Sequence, residues 1–118
     1  MSYLNRDQIE TLRDLERTCG KPLLEDLVRI FTESSLKKLQ LIRQGIERRD
    51  LNSVKEAAHA LKSSAGNIGA QRMFELCAKM ENAARNSLDF DYENTVAELN
   101  QQFEGAKVEL YEELDSGH

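Results

Sequence analysis

The sequence predicts an all-α fold: an antiparallel up-and-down four-helix bundle with a short additional N-terminal helix. Three observations carry that expectation. Apolar residues recur at helical spacing along the whole chain. The 118 residues include one proline, six glycines and no tryptophan, too few breakers for an all-β fold whose turns recur every 8–12 residues or so. The connections between periodic stretches are short, which makes successive helices antiparallel neighbours. One domain fits this length. Residues 1–118 therefore read as a single domain, with the short helix at about 7–19 and the bundle at about 22–114.

In the first helix, Asp7 with Glu10 reads as an acidic N-cap and its partner three residues on. Ile9, Leu12, Leu15 and Cys19 follow at helical spacing, and Gly20 is placed to end the helix. Pro22 suits a first turn, and the second helix is expected from Pro22 to Arg48. Leu24, Leu27, Phe31, Leu39, Ile42 and Ile46 mark its buried side, interrupted by Ser34 and Ser35. Those serines either leave room for a bulky neighbour or bond back to the backbone.

Asp50 is a good N-cap for a third helix from Leu51 to Gly66. Asn67 to Gly69 reads as the next break. A fourth helix covers Ala70 to Asn86, with Met73, Cys77, Met80 and Ala84 as its stripe and Phe74 and Leu76 on the flanks. The last helix starts near Asp91 and carries Tyr92, Val96, Leu99, Phe103, Ala106, Leu110 and Leu114. Its end, Asp115 to His118, is expected to fray, with His118 a tail residue.

Composition narrows the function. With 40% hydrophobic and 31% charged residues the chain has apolar surface enough to offset chain entropy, unlike a disordered tail. A net charge of −5 and a pI near 5.1 disfavour nucleic acid, whose binders meet phosphates with Lys and Arg. No apolar run approaches the roughly 18 residues of a membrane span, and no signal-peptide core precedes the first helix. Cys19 and Cys77 show no metal-ligand or redox spacing. Two isolated thiols suit a reducing cytosol, so a cytoplasmic location is expected. No spare apolar stripe remains, which favours a monomer.

The third helix carries most of the chemistry. With Val54 at zero and about 100° per residue, Ala57, Ala58, Leu61, Ala65 and Ile68 lie within roughly 60° of zero. On the same wheel His59 falls near roughly 140°, with Lys55, Lys62, Ser63 and Gly66 at roughly 100°, 80°, 180° and 120°. His59 thus belongs to a solvent-facing patch with a lysine about one turn to either side and small residues beyond. A neutral imidazole is a nucleophile near pH 7. The lysines favour negative charge once a phosphoryl group is on the ring, and the small residues let a second protein approach. There is no Gly-rich phosphate loop of the P-loop type and no paired aspartates for Mg²⁺. The chain is equipped to hold a phosphoryl group but not to take one from ATP. Periodicity alone is equally met by an ordinary exposed histidine and by a Gly66 that merely ends a helix.

The segment Ala58-His59-Ala60-Leu61-Lys62-Ser63-Ser64-Ala65-Gly66-Asn67-Ile68-Gly69-Ala70 closely resembles the signature of histidine phosphotransfer (HPt) domains, the phosphoryl carriers of two-component phosphorelays. The pattern is a His, Leu-Lys at the second and third positions after it, small residues, and an apolar-Gly-Ala ending. Leu76-Cys77 and Met80-Glu81 resemble the family's following helix, and the likeness extends back to Phe31. Many relatives carry Gly where this chain has Ser63.

The resemblance implies that His59 is the phospho-acceptor through Nε2 and that Lys62 steadies the phosphoryl group. Lys55, Ser63 and Gly66 would form a docking surface, with Gly66 keeping it open. Glu81 would accept a hydrogen bond from Nδ1–H, pair with Lys62, or only solvate its helix. The implied partners are response-regulator receiver domains, of a hybrid sensor histidine kinase and of a downstream regulator. No cofactor is implied in this chain; Mg²⁺ belongs in the receiver's acidic pocket. A domain filling the chain from Met1 suits a free-standing carrier as well as a piece of a hybrid kinase. Three alternatives stay open. One is an HPt-like adaptor that docks without carrying phosphate. Another is a bundle-dimer kinase with its own ATP chemistry. The last is a metal-carboxylate bundle, for which Glu56 and His59 point outward rather than into the core.

Overall fold

The computed structural model describes residues 2–116. Five helices follow in order: α1 (Arg6–Cys19), α2 (Leu23–Glu47), α3 (Leu51–Ile68), α4 (Gln71–Arg85) and α5 (Tyr92–Ser116). No strand occurs among the described residues, so the fold is all-α. Gly117 and the tail residue His118 lie outside them.

The chain begins differently from the sequence expectation. Asn5, not Asp7, caps α1: its Oδ1 accepts from the backbone N–H groups of Asp7 and Gln8 at 3.0 and 3.3 Å. Asp7 instead occupies the first turn, where its charge complements the helix dipole. Of the expected stripe only Ile9 is buried. Leu12 is half-buried, and Leu15 and Cys19 are exposed, because α1 packs chiefly against α2. Pro22 precedes α2 as its cap residue and supplies no side-chain bond. Glu16 of α1 fills that role, accepting from the Leu24 N–H at 2.9 Å.

α3 packs between α2 and α4, and α5 closes against both. The core they share takes Val28, Phe31 and Ile42 from α2 and Val54, Ala58, Leu61 and Ile68 from α3. α4 adds Met73, Leu76, Cys77 and Met80, and α5 adds Leu99, Phe103 and Leu110. Each fully buried Leu, Ile or Phe among them stabilises by roughly 1.5–3 kcal/mol. Val28 takes a core position the expected stripe omitted, while Leu27 and Ile46 are half-buried. Leu76 is buried rather than flanking.

The serine pair in α2 does not bond back to the backbone. Ser34 Oγ lies 3.4 Å from Ser64 Oγ of α3. Ser35 is buried with no partner for its hydroxyl among the described residues. A small side chain here lets α2 and α3 approach. Gly45 does the same at the other end: a Cβ there would stand 2.8 Å from Val54 Cγ2 and 3.3 Å from the Asp50 carbonyl.

Asp50 caps α3 as expected, accepting from Ser53 N at 3.2 Å and Ser53 Oγ at 2.7 Å. The helix does not stop at Gly66. It continues to Ile68, whose side chain is buried, and ends at Gly69 with φ +82°, a left-handed terminus that glycine adopts at little cost. Gly66 is therefore interior, and its helix-end explanation lapses. The end of α3 is also tied to the start of α1. Gln8 Nε2 donates to the carbonyls of Gly66 and Asn67 at 2.8 and 2.9 Å, and Asn5 N donates to that of Gly69 at 2.7 Å. α1 is held to α5 as well, through Arg6 and Arg13 on Glu113. No helix is long and apolar enough to cross a membrane among the described residues.

Candidate functional site

The alanine-rich core face of α3 seats that helix closely on its neighbours and turns the opposite face outward. His59 projects from it with 62% of its side chain exposed. α4 brings Glu81 against the imidazole from the side. His59 Nδ1 and Glu81 Oε2 are 2.8 Å apart. The carboxylate is nearly sealed, with 4% of its side chain exposed. An isolated buried charge would be costly, but this one is paired: Lys62 Nζ lies 2.7 Å from Oε1 and Arg85 Nη2 2.7 Å from Oε2.

Burial pushes the Glu81 carboxyl up, but the hydrogen bonds from Lys62 and His59 outweigh it and hold the group below the usual carboxylate range. Glu81 is thus ionised at neutral pH and has only acceptors to offer. Nδ1 must then be the donor, and in the neutral ring this leaves the lone pair on Nε2. No hydrogen bond engages Nε2 among the described residues. The two roles kept apart for Glu81 in the sequence, imidazole orientation and a Lys62 salt bridge, occur together.

The other sequence-derived residues distribute around this centre. Lys55 is half-buried and lines, with Glu56, His59, Glu81 and Arg85, a shallow hollow of about 370 Å³ beside the ring. Lys62 is three-quarters buried and points to Glu81. Ser63 is exposed one turn beyond His59, its hydroxyl 3.4 Å from the His59 carbonyl. Gly66 lies farther along and is half-buried beside the exposed Phe74, whose ring would stand 3.4 Å from a Cβ at that position. Gly66 and Phe74 thus make a low apolar ledge off the histidine. Arg85 was not singled out in the sequence. The signal was available, since it follows Glu81 by four residues, the favourable acid-then-base spacing on one helix. No group of three His, Cys, Asp or Glu side chains able to hold a metal ion occurs among the described residues.

Beneath the site, burial pushes the Cys77 thiol up to about 12, with the charge of Glu81 adding to the effect and Lys62 opposing it. A thiol held protonated and covered does not react. A disulfide reagent is therefore expected to titrate one thiol in the native protein, the exposed Cys19, and both in denaturant. Two fast native thiols would mean that α4 opens readily.

The family model described as "Hpt domain" matches residues 26–115. Among solved structures, the chain is similar to the crystal structure of histidine-containing phosphotransfer protein B from Pseudomonas aeruginosa PAO1. The TM-score is 0.83 at 18% sequence identity, over 94% of this chain and 93% of that one. At that identity the likeness speaks to the fold. No curated protein sequence matches.

Proposed function

Because the chain belongs to the Hpt domain family, the histidine phosphotransfer proteins of phosphorelays, we propose that His59 is the residue that carries the phosphoryl group. We read the packing of α2 to α5 as an antiparallel up-and-down four-helix bundle with α1 as its lid. The observation that carries the site assignment is the His59–Glu81 pair: a buried carboxylate fixes Nδ1 as donor on a ring that is mostly exposed, with no hydrogen bond at Nε2 among the described residues.

In the proposed reaction a receiver domain presents an acyl phosphate on its aspartate. Nε2 attacks phosphorus in line as the aspartyl oxygen leaves, through a loose transition state. The P–O bond breaks, the Nε2–P bond forms, and the aspartate departs as a carboxylate. The attacking lone pair leaves the ring positive while Nδ1 keeps its proton. No proton needs to move, and Glu81 stands beside the positive charge that develops. Lys62, one turn beyond His59 on α3, steadies the phosphoryl oxygens and exchanges part of its bond to Glu81 for them. Lys55, Ser63 and Gly66 form the surface a receiver docks on. The reverse sequence passes the group to a second receiver. Mg²⁺ belongs to the receiver's acidic pocket. The chain acts as a cytoplasmic monomer and a carrier, without ATP chemistry of its own.

The test is transfer itself. Candidate receiver domains charged with labelled acetyl phosphate are mixed with the chain. Acid-labile, base-stable label should move onto it and back. No label from any receiver, while another histidine phosphotransfer protein in the same mixture is labelled, overturns the reading.

A further inference from the structure

We propose that Arg85 is a positioning residue for transfer at His59, acting through the Glu81 oxygen that they share. This inference rests on the reading of His59 as the phospho-acceptor. Arg85 is the last residue of α4, and its Nη2 lies 2.7 Å from Glu81 Oε2, the same oxygen that faces His59 Nδ1 at 2.8 Å. The other oxygen, Oε1, is taken by Lys62. The carboxylate is thus held at both ends by cations, and its plane cannot turn away from the imidazole without breaking a charge-assisted bond. Lys62 alone fixes one oxygen and leaves the other held by the imidazole only.

The charges of the group point the same way. One carboxylate, two cations and a neutral imidazole carry one net positive charge. A dianionic phosphoryl group on a ring that keeps its Nδ1 proton brings the group to neutrality. Without Arg85 the same state carries an uncompensated negative charge in front of a buried carboxylate. The other charged groups facing the hollow, Lys55 and Glu56, offset one another. Arg85 is itself 57% exposed, but its partner carboxylate is only 4% exposed, so the pair is less screened than an i,i+4 contact between two surface side chains.

The experiment compares the wild-type chain with Arg85→Ala and Arg85→Lys, using phosphoramidate as a small phosphoryl donor that needs no docking surface. Two quantities are read: the rate of His59 labelling, and the tautomer of the His59 ring from its ¹⁵N chemical shifts before any donor is added. Arg85→Ala should label on the order of tenfold more slowly, the size of one hydrogen bond to a charged group, and its ring should shift from one tautomer to a mixture. Arg85→Lys should restore most of both, and melting curves check that each variant is folded. Wild-type labelling rate in Arg85→Ala overturns the proposal, whatever the tautomer. Slower labelling with an unchanged tautomer also overturns it, because Arg85 would then act on the phosphoryl group directly. Absence of label on wild-type His59 instead overturns the acceptor assignment beneath it.

Discussion

Replacing His59 with Ala or Gln should abolish labelling from a charged receiver while leaving the protein folded. The side chain lies off the core face and is mostly exposed. Its removal deletes one hydrogen bond, and Glu81 keeps Lys62 and Arg85. The expected loss of stability is therefore small, about 1 kcal/mol or less. The chemical loss is total, because neither an alanine methyl nor a glutamine amide offers a nucleophilic nitrogen. The chain has one other histidine, His118, which makes the control direct. Label that persists in His59→Ala and disappears in His118→Ala would move the acceptor to the tail. Label that survives in both would remove histidine from the mechanism.

The second large effect is expected at Glu81. Glu81→Ala should slow transfer roughly tenfold to hundredfold, the worth of a hydrogen bond to a charged group of about 1.5–3 kcal/mol. It removes the acceptor at Nδ1, lets either tautomer form, and leaves two cations without their shared partner. Glu81→Gln should fall between Ala and wild type. A single amide oxygen cannot serve His59 and Lys62 together, and the amide NH₂ would face a cation. A transfer rate unchanged in Glu81→Ala would reduce the pair to packing.

The same residue predicts a pH dependence. The Glu81 carboxyl titrates below its ordinary value of 4.5 in the folded chain. Its contribution to stability is therefore full above that value and is lost as pH falls through the lower folded one. The melting-temperature gap between wild type and Glu81→Gln should be widest above about pH 5 and close on the acid side. Burial raises Glu113 too, but Arg6 and Arg13 more than offset it. Acid thus also loosens the α1–α5 junction, in both proteins alike, and the gap isolates Glu81. A gap that widens in acid would contradict the sign.

The sequence carried the fold class and the centre of the site for a physical reason. Helical periodicity reports which face is buried, and α3 keeps one apolar stripe from Val54 to Ile68. The outward position of His59 follows from that stripe alone. What periodicity does not report is how far a helix lies against its neighbours. In α1 the pattern of Ile9, Leu12, Leu15 and Cys19 is regular, yet only its beginning reaches the core. The end of α3 was misplaced because Gly66 and Asn67 look like breakers, whereas burial of Ile68 and the freedom of Gly69 decide the terminus. Glu81 was placed near the histidine by family likeness, but its three simultaneous donors depend on two helices meeting, which one helix's spacing cannot encode. Arg85 was missed because it matters only through Glu81.

The ties between α1 and the far end of α3 bear on where this protein can be cut. The matched family core starts at residue 26, so a fragment trimmed to it would discard Gln8 and Asn5, which occupy the carbonyls of Gly66, Asn67 and Gly69. The terminal turn of the helix that presents the imidazole would then have water where it now has a brace. Sequence matching draws that boundary by likeness; the mechanical unit begins some twenty residues earlier.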